Sequence, residues 1–209
     1  MSQDPRIWFE APAWEERYRA AEPLFSGRVN PQLVDEISDL APGSALDAGC
    51  GEGVTCSGSP RAAGGSPARL LVGGAGEERG QGRGTGPGDR HPHRVDPRRL
   101  RTWTPPRGQY DLVTSHFLHQ SGQDLFRRLA SAVAPGGQLL IVLHSPLDLE
   151  TTMGRPNVPE GFWTAEQIAA ALDLDGWEVL TSEARPRPAT DPEGREITIH
   201  DTVFRARRI

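Results

Sequence analysis

The chain has 209 residues, enough to close one domain around a substantial core, and at 36% hydrophobic and 24% charged residues it has the composition of a soluble globular protein. A net charge of -5 argues against a general nucleic-acid binder, and no apolar run approaches the roughly 18 residues that span a bilayer. Met1 to Glu10 carries charges and a proline rather than a basic and then apolar leader, so a cytoplasmic address is expected, and two cysteines are too few for a disulfide framework.

In chain order, Trp14 to Phe25 reads as an amphipathic helix. Asn30-Pro31 opens a second one, with Asn30 as N-cap and Pro31 at the first helical position. Leu33, Val34, Ile37 and Leu40 recur at helical spacing, and Ala41-Pro42-Gly43 ends the run. Ser44 to Ala48 is a short buried-strand pattern that feeds the glycine loop Gly49-Cys50-Gly51-Glu52-Gly53. Residues 54–98 then break the pattern. They hold 11 of the 24 glycines, five prolines and seven arginines against four acids, with no aromatic residue. Such a block buries little and reads as irregular or disordered. Its charge of +3 leaves -8 on the rest of the chain.

Beyond the block, Tyr110 to Ser115 is a strand, Asp124 to Ala134 a helix presenting Leu125, Phe126, Leu129 and Val133, and Pro135-Gly136-Gly137 a turn. Gln138 to His144 is a nearly continuous apolar run of the kind buried in a parallel sheet. Thr164 to Gln167 has the form of a capping box and starts a helix that ends near Asp173. Trp177 to Ala184 and Ile197 to Arg207 read as two last strands, joined by the proline-rich Arg185 to Arg195 into an antiparallel pair at a sheet edge. Strands alternating with helices predict an α/β sheet with helices on both faces.

The chemistry concentrates at the first glycine loop. Gly49, Gly51 and Gly53 stand at alternate positions just past a strand end, where backbone without side chains lets a ligand approach closely. The spacing is G-x-G-x-G rather than the dinucleotide G-x-G-x-x-G, and Asp47 lies two residues before the first glycine. An acid there repels a pyrophosphate and suits a ligand carrying an ammonium group. The same residues also read as a glycine-rich turn with a solvated or capping Asp47.

LDAGCGEG, YDLVTSHFLH and LASAVAPGGQLLIV, in that order, resemble the first motif, the fourth strand and its loop, and the helix, Pro-Gly-Gly turn and fifth strand of class I S-adenosylmethionine-dependent methyltransferases. Trp14, Tyr18, Phe25-Ser26-Gly27 and Asn30 are similar to the small-molecule branch with the thiopurine and tellurite-resistance enzymes. The resemblance covers about residues 8–53 and 100–207. It implies a single domain over 1–209, with a Rossmann-like, doubly wound, mostly parallel sheet and an antiparallel C-terminal strand. It also implies S-adenosylmethionine as cofactor, a small-molecule methyl acceptor, no nucleic acid or membrane partner, and a monomer or weak homodimer. Asp47 with Gly49, Cys50, Gly51 and Gly53 would hold the amino acid end of the donor, supported by Ser26 and Asn30. His116, Phe117 and His119 would stand at the mouth of the site, with His116 or His119 as proton acceptor; the bland alternative is that they are polar and packing residues of a loop. His116 with His119, or His91 with His93, lacks the carboxylates or thiolates of a metal site.

The resemblance skips residues 54–98, where the family places a helix, two strands and the acids that bind the ribose and the adenine. Glu77, Glu78 and Asp89 end no apolar strand and are not assigned to that role. Glycine, proline and arginine at this density are what GC-rich coding yields out of frame. Read from the third base, Val54 to Pro67 can encode Asp-Val-Leu-Trp-Leu-Ala-Ala-Arg-Gly-Trp-Arg-Val-Thr; read from the second, Arg69 to Glu77 can encode Asp-Phe-Ser-Ser-Val-Ala-Leu-Glu. Both resemble the family's missing elements, so the block is expected to be frame-shifted, the bland alternative being a genuine disordered insertion. Two other outcomes stay open: a nicotinamide-dependent reductase, which expects a later third glycine and an acid about 20 residues on, and an inactive remnant. Arg185, Arg187 and Arg195 read either as anion ligands or as solvated loop arginines.

Overall fold

The computed structural model describes residues 30–41, 43–48, 71–73, 103–118, 122–150 and 158–209. Six strands form one sheet: β1 (Ala45–Ala48), β2 (Leu71–Gly73), β3 (Tyr110–His116), β4 (Val133–His144), β5 (Trp177–Thr190) and β6 (Glu196–Arg208). Their spatial order is β2-β1-β3-β4-β6-β5. The first four run parallel, and β6 is antiparallel to both β4 and β5. Among the described residues three α-helices, α1 (Pro31–Ile37), α2 (Gln123–Ala132) and α3 (Ala165–Ala171), cover the two faces. Among the described residues no helix is long and apolar enough to cross a membrane. The predicted helix at 14–25 lies outside the described residues, as does all of 54–98 except β2. Within that block, expected to be irregular, Leu71–Gly73 form a short strand paired with β1.

The core divides by strand parity. Leu46, Ala48, Val113, Leu139, Ile141, Leu143, Phe204 and Ala206 pack with α2 and α3, while Ala45, Leu112, Leu140, Val142 and Val203 pack with Leu33 and Ile37 of α1. Leu139 to Leu143 are thus buried on both faces, as the continuous apolar run predicts, and each stabilises the fold by about 1.5–3 kcal/mol relative to exposure.

Local chemistry sets the element ends. Asn30 Oδ1 accepts the Gln32 N–H at 2.7 Å and caps α1, and Thr164 and Gln167 close a full capping box on α3. On α1, Val34 is exposed rather than core, and Gln32 and Glu36 are buried in its place. A buried carboxylate requires partners. Glu36 has them in Arg185 at 2.6 Å, Arg205 at 3.5 Å and the Thr181 hydroxyl at 2.9 Å, which tie α1 to β5 and β6.

Val133, expected on the helix, instead begins β4 opposite Tyr110. The register then shifts before Gln138 pairs with Leu112, so Pro135-Gly136-Gly137 is an interruption inside β4. Pro135 disfavours helix at the residue before it, and Gly136 takes φ +78°. A Cβ on Gly137 would stand 2.8 Å from the Tyr110 carbonyl oxygen. Gly137→Ala is therefore expected to cost about 1–3 kcal/mol in urea denaturation. At the other edge, Pro186 and Pro188 lie inside β5 rather than in a connecting loop. Being two apart, they present their missing N–H on one side of the strand, which an edge strand leaves unpaired. Asp191 to Arg195 makes the actual turn, with Gly194 at φ +82° and the Arg195 N–H held by Asp191 Oδ1 at 2.8 Å.

Candidate functional site

Strand parity also assembles the polar groups. Asp47 of β1 lies in register with Thr114 of β3, and His116 is two residues further along the same face. His144 of β4 is in register with Asp201 of β6, again on the face that α1 covers. Asp47, His116 and His144 therefore lie at or beside the carboxyl ends of three adjacent parallel strands, the place where open α/β sheets bind ligands. Asp47 and Asp201 are 1% and 0% exposed, so both carboxylates are held in protein rather than solvated.

His116 is buried, with Nε2 2.7 Å from Thr114 Oγ1 and no hydrogen-bond partner for Nδ1 among the described residues. Burial lowers its pKa from 6.5 to about 4, so the ring is neutral at pH 7. In the tautomer whose Nε2–H donates to Thr114, Nδ1 carries a bare lone pair. Phe117 follows with φ +49°, a left-handed conformation that a bulky residue adopts at a cost of about 1–3 kcal/mol. Its N–H donates to the Val142 carbonyl at 2.8 Å, which holds the turn. Its ring stacks on His144 at 4.5 Å between centroids, and His144 in turn lies 6.0 Å from Phe162.

Of the residues that the sequence singles out, the structure brings Asp47, His116 and Phe117 to one end of one sheet face. Asn30 spends its side-chain oxygen on the α1 cap. Ser26, Gly49, Cys50, Gly51, Gly53 and His119 lie outside the described residues. The arginines are ion-paired: Arg185 with Glu36 and Glu183, Arg187 with Asp201 at 2.7 Å, and Arg195, which stays largely exposed in the turn, with Asp191 at 2.6 Å. Thr114, His144, Phe162 and Asp201 were not legible as site residues. The one signal for His144 is a polar residue terminating an apolar strand, and Asp201, inside β6, carries no such signal.

No family model matches the sequence, and no curated protein matches it. Solved structures do match the fold. One, on the conversion of a disulfide bond into a thioacetal group during echinomycin biosynthesis, aligns over 98% of this chain and 92% of its own at 18% identity and TM-score 0.63. An S-adenosylmethionine-dependent methyltransferase from Mesorhizobium loti aligns over 85% of this chain and 96% of its own, at 19% identity and TM-score 0.55. A 1,6-didemethyltoxoflavin-N1-methyltransferase from Burkholderia thailandensis, with 1,6-didemethyltoxoflavin and S-adenosylhomocysteine bound, aligns over 100% of this chain and 92% of its own, at 14% identity and TM-score 0.55. The chain has the α/β, Rossmann-like fold of these structures, the last two of which are methyltransferases, with β6 as its antiparallel strand.

Proposed function

We propose that this chain is an S-adenosylmethionine-dependent methyltransferase that acts on a small molecule. The observation that carries the reading is the position of Asp47. It is a buried carboxylate at the carboxyl end of a central parallel strand, immediately before Gly49-Cys50-Gly51-Glu52-Gly53, in a fold shared with methyltransferases along nearly the whole chain. A carboxylate in that place fits the ammonium of the donor's amino acid end and opposes the pyrophosphate of a nicotinamide cofactor.

When bound, S-adenosylmethionine supplies a methyl carbon on a sulfonium centre, open to in-line displacement. The residues of this chain then have to position, shield and accept a proton. Asp47, with the backbone of Gly49, Cys50, Gly51 and Gly53 and with Ser26 and Asn30 in support, takes the amino acid end. His116, kept neutral by its burial, offers Nδ1 to the X–H of the nucleophile, and His119 is the second candidate for that proton. Phe117 borders the donor and excludes water beside His116. Two finer features belong to the same reading: a cytoplasmic location and a monomer or weak homodimer. Residues 54–98 are proposed to be frame-shifted, because their shifted reading supplies the acid that a ribose requires.

Asp47→Ala, made in a chain with that frame restored, is expected to weaken S-adenosylhomocysteine binding by about 1.5–3 kcal/mol, roughly 10- to 150-fold, in calorimetric titration. Unchanged affinity would remove Asp47 from the donor site.

A further inference from the structure

Beside the donor end of this face, the structure builds a cluster of which the methyltransferase reading uses only the Phe117 ring, as a border of the donor. Phe117 is held at φ +49° with its ring stacked on His144, and Phe162 continues the aromatic row. Backbone strain of this kind persists only where the surroundings enforce it, and here it places a half-buried phenyl ring at the end of β3. Over that ring, with its guanidinium carbon 5.8 Å from the centroid, stands Arg187. The position of Arg187 is fixed rather than free. Its Nε donates to the Asp201 carboxylate, which is wholly buried, while the arginine side chain keeps 24% of its surface exposed. Its two terminal nitrogens have no hydrogen-bond partner among the described residues. A guanidinium clamped through Nε and open at its far end is preorganised to receive a carboxylate or a similar planar oxyanion. The half-buried Phe117 ring beside it favours a flat, conjugated partner over a saturated one.

We infer that Phe117 with Arg187, backed by His144 and the buried Phe162, forms a binding surface for a planar, conjugated small molecule that carries an anionic group, with Arg187 as the specificity-determining residue. Calling that molecule the methyl acceptor rests on the methyltransferase reading; the surface itself does not. Asp201 sets the orientation of Arg187 and leaves its terminal nitrogens to the ligand. Phe117 supplies the ring contact.

The test uses the full chain and three matched probes, 2-naphthoate, 2-naphthamide and decahydro-2-naphthoate, titrated by ligand-observed saturation-transfer NMR, with S-adenosylhomocysteine titrated in parallel. The unmodified chain is expected to bind 2-naphthoate at least about tenfold more tightly than either of the other two. Arg187→Gln, whose amide can still donate to Asp201, is expected to lose that preference over 2-naphthamide while its circular dichroism is unchanged. Phe117→Leu is expected to weaken both aromatic probes alike. Equal binding of 2-naphthoate and 2-naphthamide by the unmodified chain would overturn the inference, as would a preference that survives Arg187→Gln. If the naphthoate preference holds and S-adenosylhomocysteine does not bind even to the frame-restored chain, the surface stands and the methyltransferase reading falls. The reverse pattern removes the surface alone.

Discussion

Replacing Phe126 with alanine is expected to destabilise the chain by about 3–5 kcal/mol, the largest single effect foreseen here. Phe126 is 1% exposed and meets Trp163 edge to face, with ring centroids 5.2 Å apart. It lies where α2 closes over the core formed by β3, β4 and α3. Truncation would leave a cavity among Leu129, Ile141 and Ile168, whose backbones are fixed by the sheet and by the capping box and so relax little. A domain of this size has a total stability of about 5–15 kcal/mol. The variant should therefore unfold at much lower urea with an unchanged slope. A midpoint close to that of the unmodified chain would mean that the α2 face is not part of the cooperative unit.

Acidification is expected to have the second-largest effect, and it passes through His116. Its pKa is about 4 when folded and 6.5 when free, so between those values the unfolded chain binds the extra proton. Stability contributed by the neutral ring is therefore fully present above about pH 6.5 and is lost as the pH falls towards 4. The whole shift corresponds to about 3 kcal/mol, of which about 2 kcal/mol should disappear between pH 7 and pH 5, before most carboxylates titrate. His116→Gln cannot take up that proton and should show a flatter stability profile over the same interval. Equal pH slopes for the two chains would mean that His116 is solvated, which would also remove the basis for a neutral proton acceptor in the site.

Much of the parallel core was legible because its signals are local. The continuous apolar run of β4, the Asn30-Pro31 start of α1 and the Thr164 capping box depend on residues within a few positions of one another, and each sits where its pattern places it. What the sequence hid depends on distant partners. Glu36 reads as a solvated helix residue until Arg185 and Arg205, 149 and 169 residues away, enclose it. The arginine-proline segment of β5 reads as a loop because proline depletes strands, and only its edge position makes it acceptable. The same holds for the site. Asp47 was visible through the glycine spacing that follows it. The Phe117, His144 and Arg187 cluster was not, because it draws on three strands that meet only through the antiparallel return of β6 between β4 and β5. Within 54–98, Leu70-Leu71-Val72 was the one apolar signal in a stretch whose composition otherwise masks any periodicity.

Whether the carboxyl end of β1 receives a sulfonium donor is decided by ligand titration. S-adenosylhomocysteine, S-adenosylmethionine, NAD and NADP are to be titrated by calorimetry into the chain as it stands and into a chain recoded with the shifted frame over residues 54–98. A donor site that retains only the Asp47 contacts lacks two charge-assisted interactions worth about 3–6 kcal/mol together, about two to four decades in affinity. The recoded chain is therefore expected to bind both adenosyl ligands saturably and neither nicotinamide, and the chain as it stands to bind the adenosyl ligands far more weakly. Binding of NAD or NADP in preference to S-adenosylhomocysteine by the recoded chain, or of none of the four, would contradict the assignment.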